Sequence, residues 1–181
     1  MRRLWTVGHS NRDWEAFLAI LASARIDAVA DVRRFAGSRR HPQFSGDTMA
    51  LELPRSGIDY LPMPELGGRR PPASDSPNDA WRNASFRGYA DYMATADFMQ
   101  ARAQLAQVAE GRRTAVMCAE ALWWQCHRGL IADAFKADGW EVVHLLAAGR
   151  SDEHPYTGAA RLVEGRLVYS RPPEPQGALF G

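Results

Sequence analysis

Two hydrophobic periods alternate along the chain, and each change of period marks the edge of an element. Leu4-Trp-Thr-Val7 is a short apolar run that reads as a first strand ending at Gly8-His9-Ser10. Trp14, Phe17, Leu18 and Leu21 then fall on one face of a helix over Arg12 to Ala24, with Asn11 as its expected N-cap. Ile26-Asp-Ala-Val-Ala-Asp-Val32 is a second strand, and it opens into a long basic loop through Phe44. A helix is expected from about Ser45, limited by Pro54. Ile58-Asp-Tyr-Leu-Pro-Met63 reads as a third strand whose neighbouring prolines argue for an early end or an edge position.

Pro64 to Ala84 is rich in Gly, Pro, Arg, Ser, Asp and Asn and has no apolar period, so it is a long loop. Helices follow over Phe86 to Ala94 and, capped by Thr95, over Ala96 to Ala109. Thr114-Ala-Val-Met117 is a buried strand, Gly129 to Asp138 an amphipathic helix closed by Gly139, and Trp140 to Leu146 another strand. Ala160 to Tyr169 has the pattern of a hairpin turning at Glu164-Gly165, and Pro172-Pro-Glu-Pro175 starts an extended tail. There is no internal repeat. The alternation predicts an α/β fold: one three-layer, Rossmann-like domain over residues 1–171, with a mostly parallel sheet of about five strands, and a tail over 172–181.

Composition narrows the class without naming a partner. At 181 residues, 46% hydrophobic and 24% charged, the chain suits one soluble domain with a sizeable core. A formal net charge of +1 gives no global attraction to nucleic acid or membrane. Local clusters do occur, at Arg33-Arg34, Arg39-Arg40 and Arg69-Arg70, and Lys136 is the sole lysine. That bias suits bidentate recognition of phosphate or carboxylate, and equally suits the codon usage of a GC-rich genome. No apolar run approaches the ~20 residues of a membrane span or has the form of a signal peptide, so a cytoplasmic location is expected.

The two cysteines share one segment, Cys118-Ala-Glu-Ala-Leu-Trp-Trp-Gln-Cys-His-Arg128, between a strand and a helix. The C-terminal ends of parallel strands are where such folds build ligand sites. Cys126 sits where the helix N-terminus, His127 and Arg128 all favour a thiolate, or is a small half-buried helix residue. Cys118 reads as core, as a resolving thiol or as the nucleophile, and the pair meets only if the loop folds back. His127 and Glu120 are candidate proton carriers, or a surface histidine and a solvated carboxylate. Arg128 reads as a phosphate clamp or as the partner of a nearby acid. His9, Ser10, Asp31, Arg33 and Arg39 reach the same sheet edge and complete the candidate binding set. No cofactor is predicted. Zinc or iron would require His9, Glu120, Cys126 and His127 as ligands, and no pair of these has a ligand spacing.

The C-terminal Gln176-Gly-Ala-Leu-Phe180 matches the Gln-x-x-Leu-Phe core of peptides that dock on the bacterial sliding clamp. Gln176, Leu179 and Phe180 are thus either partner-binding residues or a terminus folded back on the domain.

Thr6-Val-Gly-His-Ser-Asn11, Asp31-Val-Arg33, Ser38-Arg-Arg-His-Pro-Gln-Phe44, Glu65-Leu-Gly-Gly68, Tyr89-Ala-Asp-Tyr92, Met117-Cys-Ala-Glu120 and Cys126-His-Arg128 occur in order over almost the whole chain. Together they resemble the domain-of-unknown-function 488 family of bacteria and archaea. The resemblance implies a compact α/β domain without an established reaction, and Leu122-Trp-Trp124 departs from its more polar loop. Asp31-Val-Arg33 with a later strand, cysteine, loop and helix is also loosely similar to rhodanese and cysteine-phosphatase domains, although Cys118 and Arg128 are too far apart for their anion loop. Three readings follow: an enzyme for an anionic, nucleotide- or nucleic-acid-related substrate, a non-catalytic replication or repair accessory on the clamp, and a sulfur transferase.

Overall fold

The structure is a computed structural model and describes residues 1–177. Strands β1 (Arg3–Gly8), β2 (Ala28–Asp31), β3 (Asp59–Pro62), β4 (Thr114–Cys118) and β5 (Glu141–Ala147) run parallel, and β6 (Arg150–Glu153) pairs antiparallel with β5. Their order across the sheet is β3-β2-β4-β1-β5-β6. A separate hairpin, β7 (Arg161–Val163) and β8 (Arg166–Val168), turns at Glu164-Gly165, where both residues have positive φ, 52° and 77°. That is the conformation a two-residue hairpin turn requires.

The sheet has one strand more than its hydrophobic pattern implies. Arg150-Ser-Asp-Glu153 is exposed throughout, so no apolar alternation marks β6. It forms because Gly149, at φ 73°, folds the chain back onto the open edge of β5. At the opposite edge, β3 pairs only with β2, which suits the proline at its end.

Helices α1 (Trp14–Ser23), α2 (Gly46–Arg55), α3 (Ala84–Tyr92), α4 (Ala96–Gly111) and α5 (Arg128–Ala137) cover the sheet. Ser45, Asn83 and Thr95 cap α2, α3 and α4 through their side chains. The cap of α1 is Asp13, whose Oδ1 accepts from Ala16 N at 2.7 Å, and not Asn11. The reason is local: Arg12 N bonds back to His9 O at 3.3 Å, so Asn11 lies inside a turn and the helix starts later. Among the described residues no helix is long and apolar enough to cross a membrane.

The helices sort by face. Phe17, Ile20 and Leu21 of α1 and Met49 and Leu53 of α2 are buried with Trp5, Val7, Ala115 and Met117 on one side. Tyr89, Phe98, Leu105, Leu130 and Phe135, from α3, α4 and α5, are buried with Leu4, Val116, Cys118 and Val142 on the other. Successive strand residues face opposite layers, which is why Val116 and Cys118 share a side that Met117 does not. The chain leaves β1 and β2 toward α1 and α2, whereas it leaves β4, which lies between them, toward α5. Neighbouring connections diverge there and open a crevice at the C-terminal end of β4.

Polar groups are also buried on the α5 face, and they form one chain. Asp133 Oδ1 takes a hydrogen bond from His154 Nε2 at 2.7 Å, His154 Nδ1 meets His144 Nε2 at 2.8 Å, and His144 Nδ1 meets Thr6 Oγ1 at 2.5 Å. A carboxylate only accepts, so His154 Nε2 donates to Asp133, and with a single proton on each ring the Thr6 hydroxyl donates to His144 and His144 to His154. Thr157 N and Oγ1 and Tyr169 OH donate to the same carboxylate at 2.8, 2.5 and 2.7 Å. Removing the acceptor strands four donors in the core. Asp133→Ala is expected to lower unfolding free energy by about 3 kcal/mol or more, and Tyr169→Phe by about 1 kcal/mol, measured by urea denaturation.

Candidate functional site

The strand ends are built tightly enough to hold side chains in register. Gly8 lies opposite Cys118 across β1 and β4, His9 N donates to Cys118 O at 3.0 Å, and Ser10 N donates to Ala119 O at 2.9 Å. A Cβ on Gly8 would stand 1.7 Å from the Glu120 carbonyl oxygen, so the loop after β4 crosses directly over the end of β1. On the other flank Val32 N donates to Met117 O at 3.0 Å.

That loop folds back on itself. A short 3-10 turn at Trp123–Gln125 returns the chain toward β4, and the Cys118 and Cys126 Sγ atoms meet at 2.8 Å. The Arg128 side chain enters the space beneath the loop, 1% exposed, and its Nη2 donates to the carbonyls of Glu120 and Ala121 at 3.1 and 3.2 Å. Its Nε has no partner, and no carboxylate pairs with it among the described residues. Arg128 N, at the start of α5, donates to Cys126 Sγ at 3.4 Å.

These contacts set the protonation of the thiols. Burial alone would raise Cys118, but the hydrogen bond from Cys126, the nearby Arg128 guanidinium and a backbone hydrogen bond with Glu120 bring it down to about 7. Burial and the neighbouring Cys118 push Cys126 well above the ordinary thiol range. The pair therefore holds one proton easily lost and one firmly kept.

Cys118 and Cys126 lie at the floor of a cavity of about 260 Å³. Its walls are Arg33 and Glu120 from the strand ends, His127 from the start of α5, Tyr89 and Phe86 from α3, and Arg34, Phe35, Gly68 and Arg69 from the two basic loops. His127 Nε2 donates to Val32 O at 2.8 Å, which leaves Nδ1 as its unprotonated nitrogen. Burial, with Arg128 and Arg70 as further opposing charges, lowers His127 to about 4. A Cβ on Gly68 would lie 2.8 Å from that Nδ1, so only glycine lets the loop cover the ring there.

His9, Ser10 and Asp31 stand behind the cavity wall and do not line it. Asp31 is fully buried, pairs with Arg33 through Nε at 2.9 Å and Nη2 at 2.7 Å, and accepts from Tyr60 OH at 2.5 Å. Arg33 Nη1 donates to His9 Nε2 at 3.3 Å, His9 Nδ1–H donates to Ser10 O at 2.8 Å, and the ring stacks on Phe44 at 4.5 Å. Asp31 and His9 thus hold Arg33 from behind the cavity wall. Burial lowers His9 to about 4, aided by the Arg33 charge. Ser10 adopts φ 49° and its hydroxyl contacts Asn11. Arg39 is exposed outside the cavity lining, and Arg128 is turned inward beneath the loop.

The zinc or iron set does not assemble: among the described residues no three His, Cys, Asp or Glu side chains are grouped to hold a metal ion. Gln176 is exposed, and Leu179 and Phe180 lie outside the described residues.

Arg34, Phe35 and Arg69 join the cavity beyond the residues expected from the sequence, where the pairs Arg33-Arg34 and Arg69-Arg70 are the signal that points to the two arginines. Arg34 Nη1 donates to Arg69 O at 2.8 Å, and the two guanidinium carbons lie 5.5 and 5.9 Å from the Phe35 ring centroid. Phe35 is 65% exposed, an aromatic face between two cations at the rim of the cavity. The departure at Leu122-Trp-Trp124 has a structural role: Trp123 stacks flat on His144 at 4.7 Å and covers the buried histidine chain.

The family described as "Domain of unknown function DUF488" matches residues 13–135, well over half of the chain. The chain belongs to this family. No curated protein and no solved structure matches it. Two of the family's motifs now have a physical reading, because Tyr89 OH donates to Leu66 O at 2.7 Å and Tyr92 OH to Glu65 O at 2.5 Å, tying α3 to the turn that roofs His127.

Alkylation of Cys118 by iodoacetamide is expected to accelerate as pH rises through about 7, and Arg128→Met should move that midpoint up toward a free thiol's ~8.5. His9 and His127 bind a proton only near pH 4 when folded and near their ordinary 6.5 when unfolded. Stability is therefore complete above 6.5 and falls as pH drops toward 4. Thermal melts of His9→Asn and His127→Asn should show a flatter slope across that window.

Proposed function

We propose that this protein is a thiol-dependent enzyme acting on an anionic, nucleotide- or nucleic-acid-related substrate at the C-terminal edge of its sheet. The observation that carries the reading is an arginine-rimmed cavity with the low-pKa Cys118 thiol at its floor. Arg34 and Arg69 have no carboxylate partner among the described residues, so their charge is available to a phosphate. Arg33, fixed by Asp31, adds a pre-oriented guanidinium to the wall. The exposed Phe35 face between two guanidinium groups suits a base, which stacks while its phosphate meets the cations.

In this reading the Cys118 sulfur bonds to the electrophilic centre beside the anion while the bond to the leaving group breaks, and the leaving group departs with the electron pair. Water then cleaves the covalent intermediate. His127 Nδ1, neutral at pH 7 and held by Val32, takes the proton from that water.

A second reading, sulfur transfer, is favoured by the second thiol at 2.8 Å from the first. The Cys118 thiolate would take the outer sulfur of thiosulfate and release sulfite, leaving a persulfide within reach of Cys126. Treatment with thiosulfate would then add the mass of one sulfur to the protein, and to Cys126→Ser but not to Cys118→Ser.

Calorimetric titration with adenosine monophosphate and with inorganic phosphate tests the leading reading. Arg34→Ala or Arg69→Ala is expected to weaken both about tenfold, and Phe35→Ala to weaken the nucleotide about tenfold while leaving phosphate unchanged. Equal loss of both ligands in Phe35→Ala would remove the stacking role. Unchanged binding in the arginine variants would remove the anion site.

A further inference from the structure

We propose that Cys118 and Cys126 form an oxidative modification site, closing to a reversible intramolecular disulfide when a hydroperoxide enters the cavity. The site goes beyond the substrate reading and shares only Cys118 with it.

Three features place the pair for this chemistry. The Sγ atoms lie 2.8 Å apart, and both thiols are free. The loop that carries them is pinned from beneath by Arg128 and from the side by the close approach at Gly8, so their proximity is a property of the fold rather than a chance rotamer. Although each side chain is buried, both sulfur-bearing residues line the cavity, and its rim residues Arg34, Phe35 and Glu120 are exposed. The cavity therefore gives a peroxide, and afterwards a small dithiol, a path to the sulfurs.

The steps balance with the peroxide as sole oxidant. The Cys118 thiolate attacks one peroxide oxygen, the O–O bond breaks, and the hydroxide or alkoxide that leaves takes up a proton. Cys118 is now a sulfenic acid. The Cys126 sulfur attacks the Cys118 sulfur, the S–O bond breaks, and the hydroxyl departs as water with the Cys126 proton. Two thiols have given two electrons to one peroxide. A small dithiol reductant restores both thiols by exchange.

The buried Arg128 adds to each stage. Its guanidinium, without a carboxylate partner among the described residues, favours the attacking thiolate and faces the negative charge that leaves it. Cys126 then intercepts the sulfenic acid before a second peroxide can drive it to the irreversible sulfinic state. Closure also removes the nucleophile, so a peroxide would silence the cavity and a reductant would reopen it.

Intact-mass spectrometry of the reduced full chain after brief treatment with equimolar hydrogen peroxide tests the site. The wild type is expected to lose two hydrogens and to regain them with dithiothreitol. Chymotrypsin cuts after Leu122, Trp123 or Trp124, between the cysteines, so the oxidised digest should yield one linked pair of peptides, separated on reduction. Cys126→Ser should instead gain oxygen in a form trapped by dimedone, and Cys118→Ser should react at least tenfold more slowly. A wild type that gains oxygen, links only between molecules, or remains fully reduced would overturn the proposal. The digest needs no variant, so it decides the question even if a serine substitution does not fold. No substrate is used, and phosphate or nucleotide binding by the reduced sample reports separately on the substrate reading.

Discussion

A buried guanidinium with no carboxylate partner among the described residues organises the site. Desolvating a cation costs several kcal/mol unless something nearby supplies negative potential. Arg128 finds that potential in two backbone carbonyls of the loop after β4 and in the sulfur pair above it. To reach both carbonyls the loop must fold back over the first turn of α5. Folding back is what carries Cys126 to Cys118. One side chain therefore couples the loop path, the meeting of the thiols and the lowered pKa of the one at the cavity floor.

The surrounding fold makes that arrangement rigid. Gly8 admits the Glu120 carbonyl where a methyl group would not fit, and the sheet order places β4 where neighbouring connections diverge. Beneath the loop, the chain from Thr6 through His144 and His154 to Asp133 fills the α5 face with satisfied polar groups, and Trp123 covers it. A fully connected buried network of this kind specifies one packing. It also gives a reason for Trp123 in a loop where polar residues would be expected.

The candidate site was legible in part, and the part follows a rule. Residues whose role comes from chain position, such as Cys118, Glu120, Cys126 and His127, line the cavity together because the end of a strand and the start of the next helix must be adjacent. Asp31, His9 and Ser10 reached the right sheet edge but face Arg33 and the layer of α1 and α2, since strand direction gives the edge and not the orientation of each side chain. Arg39 and Arg69 belong to loops without hydrophobic period, and nothing in their spacing tells which turns inward. Phe35 was invisible for the same reason.

The sequence alone determined the order of strands and helices, the parallel sheet, the hairpin at Glu164-Gly165 and the strand end where the cavity opens, because periodicity and turn chemistry are local. It also determined the family. Tertiary structure decided that Asp13 rather than Asn11 caps α1, that the polar segment Arg150–Glu153 is a strand, and that Arg128 points inward beneath the two sulfurs. Each of these depends on what lies opposite a residue in space: a returning turn, an open sheet edge, or a pair of carbonyls eight and seven positions earlier in the chain.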